Sequence, residues 1–134
     1  MNISEAARRS GLSSKTIRYY EDIGLIAPAR RADNGYRQYG ARQVDEMQFL
    51  ARARNVGFDL EECRQLLDLH RDSHRESQHA RQLVLEKSAQ LQRRIEELVA
   101  MRQTLDELAS RCRGDEGPEC AILDDLATGR EGAV

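Results

Sequence analysis

Val84, Leu91, Ile95, Leu98, Leu105 and Leu108 recur at spacings of three, four and seven, with Lys87, Arg93, Arg94, Glu96, Glu97, Asp106 and Glu107 between them. That pattern is a coiled-coil seam. No proline or glycine falls between Ser77 and Arg113, so the spacing predicts one helix from about Arg81 to Arg111, roughly 45 Å long at 1.5 Å per residue. So narrow an apolar stripe on so long a helix calls for a partner helix. The simplest partner is a second copy, in an antiparallel or crossed homodimer. The heptads specify pairing without direction, and a helix folded back on its own head is the competing arrangement. Ser88 and Arg102 interrupt the seam, which suits a short, specific contact.

Ahead of this segment the apolar positions fall into short runs. Asn2 caps a helix carrying Glu5 in its first turn, with Ile3, Ala6 and Ala7 on a small apolar face, and Gly11 stops it. Ser13 caps a second helix, SKTIRYYEDIG, with Ile17, Tyr20 and Ile23 inward and Gly24 as its end. Two short helices around a tight turn predict a helix-turn-helix, whose second helix presents Ser14, Lys15, Arg18 and Tyr19 outward. A plain helical hairpin with a solvated basic face would show the same pattern.

The next stretch tips that balance. In ARRADNGYRQYG, Asn34-Gly35 is a turn signal between two short strands. Arg30, Arg31 and Arg37 interleave with Tyr36 and Tyr39 there, a basic aromatic wing suited to DNA phosphates. A further helix opens at Gly40 and Gln43, turns Val44, Met47, Leu50 and Ala51 inward and Arg52 and Arg54 outward, and ends at Gly57. Asp59 and Glu62 form a capping box for another, with Leu60, Leu66, Leu67 and Leu69 as core. Cys63 reads as a small packing residue, and the polar stretch with His70, His74 and His79 as a solvated hinge.

The fold expected is therefore mainly α. It comprises a winged helix-turn-helix DNA-binding domain over 1–72, a hinge and dimerisation helix over 73–111 forming an antiparallel coiled coil, and a metal-binding loop, short helix and tail over 112–134.

Charge supports that division. Residues 1–57 hold ten Lys/Arg against six Asp/Glu, a net of +4, and residues 58–134 hold eleven against seventeen, a net of −6, inside a whole-chain −2. A basic front and an acidic back suit a nucleic-acid head with a sensing tail. The start has no signal-peptide core and no stretch approaches a membrane span, so a cytoplasmic protein with reduced thiols is expected. No nucleophile-base pair, phosphate loop or open three-ligand metal site stands out, which speaks against an enzyme.

The remaining chemistry lies at the end of the long helix. Cys112 and Cys120 are separated by seven residues that include Gly114, Gly117 and Pro118, enough flexible chain to bring both sulfurs onto one ion. Two thiolates with no third ligand suit a soft monovalent d10 cation, whereas zinc normally takes four ligands. The pair by itself leaves a metal site, bystander thiols and a redox pair all open.

The ordered motifs IRYYEDIGLI, NGYRQY and ARNVGF after a helix-turn-helix resemble the MerR family of transcription regulators over essentially the whole chain. In that resemblance Tyr20, Glu21, Gly24 and Leu25 belong to the recognition-helix signature. Arg18, Tyr36, Arg37 and Tyr39 match positions that hold DNA, and Arg54 adds a flank contact. The C-x7-C loop followed by a short helix resembles the copper-sensing CueR branch. Ser77 stands where zinc-, lead- and mercury-responsive members carry a cysteine from the other subunit, while Ala121 departs from the proline that several members have after the second cysteine.

The resemblance implies a homodimeric activator that binds one Cu(I) per two-cysteine site, with Ag(I) and Au(I) in the same class. It also implies binding to double-stranded promoter DNA with RNA polymerase, control of copper efflux and detoxification genes, and distortion of an over-long promoter spacer. A divalent-metal sensor drawing on His79 or Cys63, a thiol redox switch and a metal-carrying protein are the alternatives.

Overall fold

In the computed structural model, residues 1–112 and 114–129 are described. Arg113, which the sequence reading placed in the loop, and residues 130–134 lie outside them. The elements run α1 (Ile3–Ser10), α2 (Ser14–Asp22), β1 (Arg30–Arg31), β2 (Arg37–Gln38), α3 (Ala41–Asn55), α4 (Leu60–Arg71), α5 (Ser77–Arg111) and α6 (Ala121–Thr128). None of the described helices is long and apolar enough to cross a membrane.

Local capping starts the head helices where the sequence places them. Asn2 Oδ1 accepts the Glu5 amide at 2.9 Å and Ser13 Oγ accepts that of Thr16 at 3.0 Å. Asp59 and Glu62 complete a reciprocal capping box, with both bonds at 2.8 Å. Each cap satisfies amides that the first helical turn leaves without a partner. Gly11, at φ 82°, ends α1 in the left-handed conformation that a side chain disfavours.

The chain divides into two compact units, Met1–Lys87 and Ser88–Val134. That division falls inside α5. The reason is that the first turns of α5 pack on the head: Lys87 Nζ sits 2.8 Å from Glu62 Oε1 and 5.9 Å from the centre of the Phe58 ring. α5 itself starts at Ser77, four residues before the expected Arg81, and at 35 residues is about 52 Å long.

In the first unit, Ala6, Ile17, Tyr20, Leu25, Ile26, Tyr39, Val44, Met47, Leu50, Ala53, Phe58, Cys63 and Leu67 form one buried core. Ala53 takes the inward place on α3 expected of Ala51, which is half-buried. Cys63 is a core residue with no exposed surface, and burial pushes its thiol pKa up. Leu60 and Leu66 are partly buried against the core, and His70 stacks on Phe49 with ring centres 4.9 Å apart. In the second unit Leu108 is buried, whereas Val84 in the first unit and Leu91, Ile95, Leu98 and Leu105 in the second are 45–62% exposed in the single chain.

Candidate nucleic-acid interface and dithiol loop

The recognition surface is built from the outer face of α2 and the wing. Ile17 and Tyr20 are buried, which turns Lys15, Arg18 and Tyr19 to solvent; Ser14 is half-buried in the first turn. β1 and β2 pair antiparallel, with Arg31 opposite Arg37 and Arg30 opposite Gln38. Their turn closes through the Gly35 amide to the Ala32 carbonyl at 2.8 Å, with Asn34 Oδ1 accepting the Tyr36 amide at 3.1 Å. Gly35 adopts φ 82°, so Asn34-Gly35 performs the turn read from the sequence.

A groove of ≈ 640 Å³ runs between the helix-turn-helix and the wing. Arg18, Arg31, Tyr36 and Arg37 line it. Arg31 Nη1 donates to the Gly35 carbonyl at 2.9 Å, which fixes that guanidinium over the turn. Tyr36 is 71% exposed at the wing tip. Three guanidiniums around one groove make a site for phosphate oxygens. Asn2, read from the sequence only as a helix cap, and Gln38, not singled out there, also line it; the strand register that brings Gln38 opposite Arg30 was the signal that could have found it.

Tyr39 corrects the sequence reading. Expected to hold DNA phosphates, it is 2% exposed, and its hydroxyl donates to Glu21 of α2. Burial, followed by that carboxylate, pushes its pKa up to about 12. The residue ties the wing base to the recognition helix and has no surface to offer a phosphate.

Arg54 is exposed, and its Nη1 donates to the Phe58 carbonyl at 3.1 Å, so it braces the turn after α3. Arg64, which the sequence reading passed over, donates to the Ile23 and Gly24 carbonyls at 3.2 and 3.4 Å. A cation there complements the negative end of α2. No periodicity marks it, because its partners lie 40 and 41 residues away.

In the second unit, the Cys112 and Cys120 sulfurs lie 3.5 Å apart, both partly exposed. Cys112 follows the last residue of α5 and Cys120 is the N-cap of α6. The Leu123 amide is the largest influence holding the Cys120 thiol below the usual cysteine range; the Cys112 thiol and the Ile122 amide act the same way, while burial and Asp124 oppose them. The helix start thus presents positive backbone charge to sulfur. Two adjacent thiols, one with its thiolate favoured, form a donor set for a soft metal ion. Among the described residues, no three His, Cys, Asp or Glu side chains converge into a cluster that could hold a metal.

The family profile described as MerR HTH family regulatory protein matches residues 1–69, and a second, described as MerR, DNA binding, matches 44–108. The chain is 51% identical over 129 residues to the HTH-type transcriptional regulator HmrR of Rhizobium leguminosarum bv. viciae, covering 96% of this chain and 99% of that protein. It is 46% identical over 127 residues to the HTH-type transcriptional regulator CueR of Salmonella typhimurium, covering 95% and 92%. Among solved structures, the transcription regulator PbrR691 from Ralstonia metallidurans CH34 in complex with lead(II) superposes with a TM-score of 0.83 at 29% identity, covering 94% and 98%.

Proposed function

Because the chain belongs to the MerR family of helix-turn-helix transcription regulators, we propose that it is a homodimeric, metal-responsive activator whose inducer binds Cys112 and Cys120. It is a DNA-binding regulator and not an enzyme. The observation that carries the sensing role is the pair of sulfurs 3.5 Å apart at the start of α6.

The inducer in this reading is Cu(I), with Ag(I) and Au(I) as close chemical equivalents. Two thiolates and one monovalent cation leave a net charge of −1, and the α6 amides directed at Cys120 offset part of it. Ser77 adds no soft donor, and Cys63 is buried in the head, so neither enlarges the thiolate set. The kinship to CueR supports the monovalent assignment. The likeness to a lead(II)-bound regulator supports a second reading, in which a divalent ion is sensed.

Two chains paired along the exposed α5 face give two heads for a near-palindromic promoter site. Lys15, Arg18 and Tyr19, with Ser14 at the helix start, enter the major groove. Arg31, Tyr36 and Arg37 hold backbone phosphates, and Arg54 lies at the flank. Metal binding orders the loop, shifts the angle between the heads and is stored as distortion of the promoter spacer, which places the elements read by RNA polymerase in register.

The test is anaerobic in vitro transcription from a promoter with a lengthened spacer, titrating Cu(I), Ag(I), Au(I), Zn(II), Pb(II) and Hg(II) into wild type and Cys112→Ser. Activation by the monovalent ions, lost in the variant while DNA affinity stays nearly intact, is the expected result. Activation by zinc, lead or mercury would establish the divalent reading, and full induction of the variant would remove the dithiol from sensing altogether.

A further inference from the structure

Seven residues separate Cys112 from Cys120, two of them glycines. The described residues of this loop form no helix or strand. Such a segment has many open conformations, and holding its ends together costs conformational entropy. The sulfurs nevertheless lie in contact at 3.5 Å. Another link therefore helps to hold the loop ends together.

That link is an ion pair between the end of α5 and α6. Arg111, the last residue of α5 and the neighbour of Cys112, directs Nη1 to Asp125 Oδ2 at 2.6 Å. Asp125 lies five residues beyond Cys120, inside α6. The two side chains are 35% and 21% exposed, and Glu107, one turn back on α5, approaches Arg111 Nη2 at 3.8 Å. The guanidinium is thus steered along its own helix and closes onto the helix on the far side of the loop.

We propose that Arg111 and Asp125 are positioning residues for the dithiol site: their ion pair latches the start of α6 to the end of α5 and pre-assembles Cys112 and Cys120. The proposal rests on the reading of those cysteines as the inducer site. Neither residue is a ligand. The latch acts by raising the concentration of one sulfur at the other, so that less of the binding free energy is spent on closing the loop. A partly exposed ion pair sustains a modest effect, about two- to fivefold in that effective concentration.

The experiment uses the full-length protein under anaerobic conditions, as wild type, Arg111→Gln, Asp125→Asn and the double variant. Metal-free protein is equilibrated with a glutathione redox buffer. One oxidised glutathione takes two electrons from the two thiols, the protein disulfide forms, and two reduced glutathiones carry away the two protons; the equilibrium constant reports the effective concentration of the sulfurs. Cys63, with no exposed surface, is shielded from this exchange. Separately, Cu(I) affinity is measured by competition with bathocuproine disulfonate. Far-UV circular dichroism and the thermal midpoint check that each variant is folded.

Each single substitution is expected to lower the glutathione constant two- to fivefold and the Cu(I) affinity by a similar factor. The double variant should match either single one, because both remove the same interaction. Folded single variants that equal wild type in the glutathione equilibrium, or a double variant showing the product of the two effects, would overturn the latch. Should wild type fail to bind Cu(I) while the single variants still lower the glutathione constant, the latch stands and the copper reading falls. Should wild type bind Cu(I) and the variants equal it in both assays, the reverse holds.

Discussion

Glu46 and Arg71 join α3 to α4 through two parallel hydrogen bonds, Nε to Oε2 at 2.6 Å and Nη2 to Oε1 at 2.8 Å. The fork geometry of the guanidinium matches both carboxylate oxygens. The Glu46 side chain is 11% exposed and that of Arg71 34%, so the carboxylate depends on this partner. Replacing Arg71 by Met should cost about 1–2 kcal/mol at pH 7, discounted because the guanidinium is a third exposed. Urea unfolding with an unchanged slope checks it.

The same pair sets an acid limit on the head. The Arg71 hydrogen bonds hold the Glu46 pKa below the usual carboxylate range against the opposing effect of burial. A depressed native pKa means that the pair's contribution is complete above the unfolded value of about 4.3 and is lost as pH falls through the lower native one. The stability gap between wild type and Glu46→Gln should therefore be constant near neutrality and narrow below about pH 4. A gap independent of pH would show that the carboxylate charge is not what Arg71 stabilises.

Tyr39 should behave as a structural residue. Tyr39→Phe removes the hydroxyl bonded to Glu21, and should lower head stability by about 1 kcal/mol while leaving the salt dependence of DNA binding unchanged. Because the native Tyr39 pKa is raised to about 12, its contribution is complete below the unfolded value of about 10 and is lost as pH rises toward the native one. Alkaline unfolding curves of wild type and variant should converge across that interval.

Arg37 lines the groove beside the wing and is expected to hold a DNA phosphate. Arg37→Ala should weaken binding at every sequence tested and reduce the slope of log affinity against log salt by about 1, the signature of one lost phosphate contact. Fluorescence anisotropy across a salt series measures it, and an unchanged slope would remove Arg37 from the interface.

Ile95 lies on the exposed apolar face of α5, 53% exposed in the single chain. Ile95→Glu would bring two carboxylates into a paired seam and should shift the protein to monomers in sedimentation equilibrium, with helical content largely retained. A variant that stays dimeric would place the contact elsewhere on the chain.

Most of the element starts and the turn were legible in the sequence because their causes are local. Asn2, Ser13 and the Asp59–Glu62 box act on amides three residues away, and Asn34-Gly35 acts on its own turn. The heptad stripe announced α5 by the same short-range rule. The two cysteines were also visible as a pair, since only a short loop parts them.

What the tertiary structure decided are the contacts between segments far apart in the chain. Tyr39 looks like a wing tyrosine until Glu21, 18 residues earlier, captures its hydroxyl within the core. Ala53 replaces Ala51 as the inward residue because small side chains fit either face and the neighbouring helix selects one. Arg64 on the end of α2, Arg71 on Glu46 and Arg111 on Asp125 are arginines that the sequence leaves indistinguishable from solvated charge. Composition and periodicity determine where a helix forms and which stripe is apolar. Which cation meets which carbonyl or carboxylate is set only when the helices dock, because that choice depends on distances the linear pattern does not contain.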